Sequence, residues 1–261
     1  MRIALFSTCI GDALFPDAHK ATAILLTRLG HEVVFPEGQT CCGQMHINTG
    51  YQREAVPIIR TYADAFADPS IDCVVAPSGS CAGAVREQHV RIAERYGDSA
   101  LVDGAQRAAD KTYELCEFLC DVEQRTDLGA WFPHRVTYHA SCHSLRFIEV
   151  GDRPYRLLDA VEGLELVDLP NYEECCGFGG TFSVKNAEVS AAMVSDKVRN
   201  IKSTGAEYVT AGDSSCLMNI VGSLSRQRTG IRAIHMAEIL VSTREQPWTP
   251  ERAAYQREAM L

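Results

Sequence analysis

The chain has 261 residues, 46% of them hydrophobic and 23% charged, with a formal net charge of −9 from 25 Lys/Arg and 34 Asp/Glu. That length and balance suit a globular protein of one large domain or two small ones. With no Lys/Arg cluster to offset the negative field, nucleic acid and anionic membrane surfaces are disfavoured as main partners, and no apolar stretch approaches the ~20 residues that span a bilayer.

In chain order, residues 2–7 read as a short apolar strand, 13–29 as an amphipathic helix stopped by Gly30, and 32–35 as a second strand. Residues 52–67 read as a helix, 71–76 as a buried strand, and 81–96 and 105–123 as two further helices. The order then recurs: strand 135–139, helix 153–161, strand 164–169, helix 187–203, strand 208–211, helix 216–226 and strand 231–235. Alternating strands and helices predict an α/β fold of two tandem Rossmann-like domains, each a parallel sheet flanked by helices. We expect a first domain over 1–128, a second over 129–245 and a tail over 246–261.

The eleven cysteines sharpen this repeat. Cys9, Cys41, Cys42 and Cys81 follow one another with gaps of 32, 1 and 39, and Cys142, Cys175, Cys176 and Cys216 with gaps of 33, 1 and 40. An offset held within 133 to 135 residues marks two copies of one supersecondary unit. Four of these cysteines follow directly on expected strands and the two pairs sit in loops after second strands, so each set should gather on the carboxyl rim of its sheet, where ligands bind in such folds. The start of the chain is too short in apolar residues for a signal peptide, which points to the cytoplasm. Free thiols in a reducing compartment point to metal binding or redox chemistry rather than disulfides.

Four converging thiols are the ligand count of an iron–sulfur cluster or a structural zinc. Adjacent cysteines do not easily wrap one small ion but reach different irons of a cluster. Cys73, on an apolar strand, and Cys116 and Cys120, one helical turn apart, read as core thiols. His139 and His143 flank Cys142, and His46 lies near Cys42; each reads as a histidine supporting the site or the core, with a thiolate nucleophile beside Cys142 as the sharper alternative. Phe178 and Phe182 suit either shielding of a cluster or ordinary core packing, and Asp12 and Lys185 read as solvated surface charges. The run Gly177-Phe178-Gly179-Gly180 does not match a dinucleotide fingerprint. Gly177, Gly179 and Gly180 instead suit close backbone approach to a cofactor, with N–H groups offered to sulfur.

The segments Thr8-Cys9-Ile10-Gly11-Asp12-Ala13, Cys41-Cys42-Gly43-Gln44, Pro77-Ser78-Gly79-Ser80-Cys81 and Cys175-Cys176-Gly177-Phe178-Gly179-Gly180-Thr181 resemble the cysteine-rich CCG-domain proteins. That superfamily includes a component of heterodisulfide reductase, the iron–sulfur component of glycolate oxidase and, most similar in these segments, the lactate-utilisation protein A group. The resemblance implies a 4Fe-4S cluster and an electron-relaying subunit that works with other iron–sulfur and accessory subunits to oxidise L-lactate to pyruvate. In the wider family each motif ends in Cys-x-x-Cys, giving five thiols. Here the corresponding positions are Ser78 and Asp213. A conventional four-thiolate cluster, or zinc in one repeat, therefore becomes possible, and Ser78 and Asp213 become candidate oxygen ligands. A heterodisulfide-reductase-like thiol–disulfide enzyme and a zinc-stabilised scaffold remain as alternatives. The richer Gly/Phe surroundings make the second repeat the expected redox-active one.

Overall fold

The computed structural model describes residues 1–248. Eight short strands form two four-stranded sheets: β1 (Arg2–Leu5), β2 (Glu32–Val34), β3 (Cys73–Ala76) and β4 (Thr112–Glu114) in the first half, β5 (Arg135–Tyr138), β6 (Glu165–Val167), β7 (Tyr208–Ala211) and β8 (Arg232–His235) in the second. The orders are β2-β1-β3-β4 and β6-β5-β7-β8, parallel throughout. The registers match as well, Ile3 facing Cys73 in one sheet and Val136 facing Tyr208 in the other. The central β3 is buried along its whole length, as a parallel strand covered on both faces must be.

The first half carries helices α1 (Cys9–Leu14), α2 (Pro16–Arg28), α3 (Gln44–Asn48), α4 (Gln52–Ala65), α5 (Gly79–Gly83), α6 (Val90–Tyr96), α7 (Ser99–Asp110) and α8 (Leu115–Glu117). The second carries α9 (Cys142–Arg146), α10 (Arg153–Asp159), α11 (Phe182–Lys185), α12 (Ala187–Ser203), α13 (Ser214–Arg226) and α14 (Met236–Val241). A π-helical turn, Ala84–His89, joins α5 to α6, and another, Phe118–Val122, extends α8.

Three expectations need correction. The helix expected over 105–123 is interrupted by β4, because residues 112–114 pair with β3 and a sheet edge overrides local helical preference. The helix expected over 13–29 begins at Pro16, which pre-sets the first helical turn and separates it from the short α1. The helix expected over 81–96 starts two residues earlier and passes through the first π-turn.

The halves exchange their last helices. α14, which follows β8 of the second half, packs on α2 of the first, and α8, which follows β4 of the first half, packs on α10 of the second. Arg28, in the last turn of α2, donates to the carbonyl oxygens of Leu240 (3.2 Å) and Val241 (3.1 Å), so the exposed C-terminal carbonyls of α14 are satisfied by the opposite half. At the other such contact, Asp121 accepts from Arg153 at the start of α10, at 2.8 Å. One apolar cluster consequently runs through both halves, with Leu25, Leu26, Ile239 and Leu240 at one end and Phe118, Leu119, Leu157 and Leu158 at the other. Trp248 closes the first of these ends and donates its indole N–H to Glu238 at 2.8 Å. Most of the tail expected over 246–261 lies outside the described residues. No helix among the described residues is long and apolar enough to cross a membrane.

Candidate metal centres

The two inner strands of each sheet end in helix N-termini that carry a cysteine. Cys9 opens α1 after β1 and Cys142 opens α9 after β5, while Cys81 and Cys216 lie in the first turns of α5 and α13 after β3 and β7. The Cys41-Cys42 and Cys175-Cys176 pairs come in from the loops after β2 and β6. Each pair ends in a glycine with left-handed backbone, Gly43 at φ +79 and Gly177 at φ +83. At Gly177 a side chain is also excluded by space, since a Cβ would lie 2.8 Å from the Ser190 carbonyl oxygen. That turn aims the Gly177 N–H at Cys175 Sγ, 3.3 Å away, and Gly43 makes the same 3.3 Å bond to Cys41.

All eight thiols of the two sets are free. In the first set Cys9 approaches Cys41 at 3.5 Å and Cys42 approaches Cys81 at 3.3 Å. Hydrogen bonds from Cys42, Cys9 and the Gly43 N–H bring the Cys41 thiol down to about 2. Those from Cys142, Cys176 and the Gly177 N–H do the same for Cys175, also to about 2. The donors Cys9, Cys42, Cys142 and Cys176 are pushed up in return, first by their bonds to that central sulfur, then for Cys42 and Cys176 by their bonds to Cys81 and Cys216, and by burial. In each set the first cysteine of the pair is the thiol most favoured as thiolate, and a metal taking all four would release protons.

Each set is covered by the opposite half. Gln44 and Phe178 occupy equivalent places, directly after the two Cys-Cys-Gly turns. Phe178, Ser214 and Ser215 of the second half help line the cavity over Cys9, Cys41, Cys42 and Cys81, a narrow space of about 30 Å³. Gln44 of the first half reaches His143 at 3.2 Å, and His143 in turn lies 3.5 Å from Cys142 Sγ. Gly180 adjoins Met45 of the first half, and Gly179 adjoins Phe182. Of the three glycines singled out in the sequence, only Gly177 directs its N–H at a thiol.

Ser78 and Asp213 meet at the seam between the halves. The Ser78 hydroxyl donates to Asp213 Oδ1 at 2.6 Å, the Ser80 N–H donates to the same oxygen at 3.1 Å, and Ser78 Oγ accepts from the Cys81 N–H at 3.2 Å. These two residues are bonded to each other, one from each half, rather than each being reserved for its own thiol set.

Three polar side chains, two of them buried and Asn219 half-buried, escape a reading based on cysteine spacing. His89, on the first π-turn, binds the Cys42 carbonyl oxygen at 2.8 Å, and Asn219 of α13 donates to the Cys176 carbonyl at 2.8 Å. Lys197 of α12 is wholly buried, donates to the carbonyl oxygens of Asn171 (2.9 Å) and Tyr172 (3.5 Å), and is held below its ordinary pKa by burial. The residues that fix both cysteine-pair loops are therefore scattered, and only their place on helices beside the rim marks them.

His139 is fully buried, and burial, followed by the charge of Lys197, lowers its imidazole to about 3. Among the described residues, the one group of three His, Cys, Asp or Glu donors whose atoms all lie within 4.8 Å of one another is His139, Cys176 and Cys216. His46 is exposed on α3. Asp12 is exposed, and the exposed Lys185 sits 4.9 Å over the Tyr51 ring of the other half. Cys73, Cys116 and Cys120 are buried in the shared apolar cluster, apart from both sets.

The family described as CCG, cysteine-rich domain, matches residues 3–86 and again 136–221. The chain belongs to the CCG family. Both matches of this CCG protein run through the Cys-Cys-Gly turns, and the interval between them reproduces the structural repeat. It is 47% identical to Lactate utilization protein A of Geobacillus sp. (strain WCH70), over 93% of this chain and 100% of the relative. With the protein of the same description from Geobacillus kaustophilus (strain HTA426) it shares 48% identity over 92% of this chain and 98% of the relative. Among solved structures, a hypothetical protein from Helicobacter pylori superimposes with a TM-score of 0.59 at 10% identity, covering 92% of this chain and 48% of the other, a likeness of fold alone.

Proposed function

We propose that this chain is the iron–sulfur electron-transfer subunit of an L-lactate-oxidising complex, acting in the cytoplasm with other iron–sulfur and accessory subunits. The observation that carries the reading is the gathering of two free four-thiol sets on the carboxyl rims of two parallel sheets. The metabolic part draws on relatives described as lactate utilization proteins at 43% to 48% identity.

The donor chemistry fits a thiophilic centre. Cys142, Cys175, Cys176 and Cys216 would hold a 4Fe-4S cluster in the second half, and Cys9, Cys41, Cys42 and Cys81 a second centre in the first. A cluster bound there supplies one-electron exchange. The chain supplies the rest: Gly43 and Gly177 offer N–H groups to sulfur, Phe178 helps keep water from the first set, and His89 and Asn219 hold the pair loops in place.

Zinc in the first half is the second reading. The sulfur contacts of 3.5 and 3.3 Å there lie near the ~3.8 Å separating thiolates around one tetrahedral zinc ion. Heterodisulfide cleavage has less support, because the fifth-cysteine positions hold Ser78 and Asp213, which bind each other. Iron, sulfide and zinc analysis with EPR on anaerobically purified protein tests the proposal. Iron and sulfide near four per chain with a reducible signal is the expected result, and zinc with no iron would overturn the electron-transfer role. Undiminished growth on L-lactate after deletion of the gene, in a host lacking any other lactate dehydrogenase, would overturn the metabolic one.

A further inference from the structure

We propose that His139 is itself a ligand of the metal centre in the second half, its imidazole nitrogen binding beside the thiolates of Cys176 and Cys216. The inference rests on the reading of that thiol set as a metal centre and adds a donor of a different element.

His139 directly follows β5 and stands three residues before Cys142, on the rim where the thiols gather. Its side chain has no exposure to solvent, and among the described residues neither ring nitrogen has a hydrogen-bond partner. Native structures rarely leave a buried imidazole with both nitrogens unanswered. A ring nitrogen nevertheless lies within 4.8 Å of both Cys176 and Cys216 sulfurs, close enough for one ion to touch all three. Backbone carbonyls and carboxylates, the usual partners of a structural histidine, do not fill the role here. Metal coordination does, because neutral imidazole is a good donor to iron and zinc alike.

The repeat supplies the control. Phe6 holds the place of His139 in the first half, and its ring packs edge-on against Tyr62 at 5.0 Å and Phe66 at 5.8 Å. An aromatic hydrocarbon serves the fold at this position, so an imidazole is not required to fill the space. The second half has a nitrogen donor where the first has an apolar ring, within 4.8 Å of two of its thiols. The first set is then all-sulfur and the second sulfur with nitrogen. In iron–sulfur centres a neutral histidine in the ligand set raises the potential relative to thiolate alone.

The test uses the full-length chain purified anaerobically with ¹⁵N-labelled histidine, read by pulsed EPR after reduction, alongside His139→Cys and His143→Gln. The expected result is a histidine nitrogen coupling to the cluster that persists in H143Q and disappears in H139C, while H139C keeps its iron and shifts to a lower midpoint potential. A wild-type cluster without histidine coupling would overturn the ligation, as would coupling that survives in H139C. If H139C does not fold, the labelled wild-type chain and H143Q still decide, since coupling absent from wild type or lost in H143Q rejects His139. A chain holding zinc and no iron fails the electron-transfer reading separately. Zinc-edge X-ray absorption then decides the ligation, with nitrogen among the scatterers expected and an all-sulfur shell overturning it.

Discussion

The two thiol sets occupy the same place in the same topology, yet their surroundings differ in kind. Around the first, Phe6, Tyr62 and Phe66 form an aromatic wall, the buried His89 imidazole is tied to the Cys42 carbonyl, and Ala63 stands where the second half has Lys197. Around the second, a buried imidazole and a buried ammonium lie close to the sulfurs. A cation in a low-dielectric interior favours the more reduced, more negative state of a centre near it. The repeat keeps the same cradle of thiols in both halves while the electrostatics around the two differ, so centres bound in the two halves would differ in potential or in metal.

The sharpest way to break this comparison is to remove one sulfur from each set. Cys176→Ser should abolish the reducible EPR signal and the iron of the second half, whereas Cys42→Ser should leave that signal in place. An undiminished signal in C176S would move the redox role to the first half. A smaller effect is expected at the seam. Asp213→Ala leaves two buried donors without their acceptor, those of Ser78 and Ser80, and should cost on the order of 2–4 kcal/mol in denaturant unfolding. Ser78→Ala removes one of those bonds and the Ser78 cap on the Cys81 N–H, for about 1–2 kcal/mol. Equal losses would show that Asp213 is not the shared anchor.

The subtlest difference is in pH dependence. Glu114 and His235 stand at equivalent positions, each capping the helix its half lends to the other. Burial, then the neighbouring Glu117, pushes Glu114 up to about 8 from 4.5, with Asp213 adding to the rise and Arg86 engaged on Glu117. Between those values the folded protein keeps a proton that the unfolded chain has lost, so Glu114 makes stability fall as pH rises. His235 is held below 6.5 by burial. Below that value the unfolded chain takes up a proton the folded one refuses, so His235 makes stability fall as pH drops. Urea midpoints between pH 5 and 9 should therefore fall less steeply with rising pH in Glu114→Gln and less steeply with falling pH in His235→Gln, other buried groups such as Glu238 and His139 keeping the rest of each decline. Unchanged profiles would show that these caps do not titrate with folding.

Much of the architecture was legible because it is written twice. The cysteine intervals give the repeat, the apolar runs at 2–7, 71–76, 135–139 and 208–211 give the inner strands, and the strand-then-cysteine order puts the thiols on one rim. β4 was not legible, since three residues of strand sit inside a continuous helical pattern and exist by virtue of pairing with β3. The exchange of α8 and α14 left no local trace either, because an amphipathic stripe does not say which half it will cover. His139 was visible as a neighbour of Cys142, but its isolation from every hydrogen-bonding partner depends on packing from distant elements. Lys197, His89 and Asn219 carry no spacing signal at all. The meeting of Ser78 with Asp213 needed the relative placement of the halves.

The lent helices also set an order of events during synthesis. The apolar stripe of α2, with Leu25 and Leu26, is covered by residues 236–241, which leave the ribosome some two hundred residues later. Nascent chains halted at residue 128 should accordingly bind an apolar dye and incorporate little metal, and tight, protease-resistant 1–128 fragments would contradict this. The half that is made first is the last to be finished, because its apolar face waits for the helix that the other half supplies.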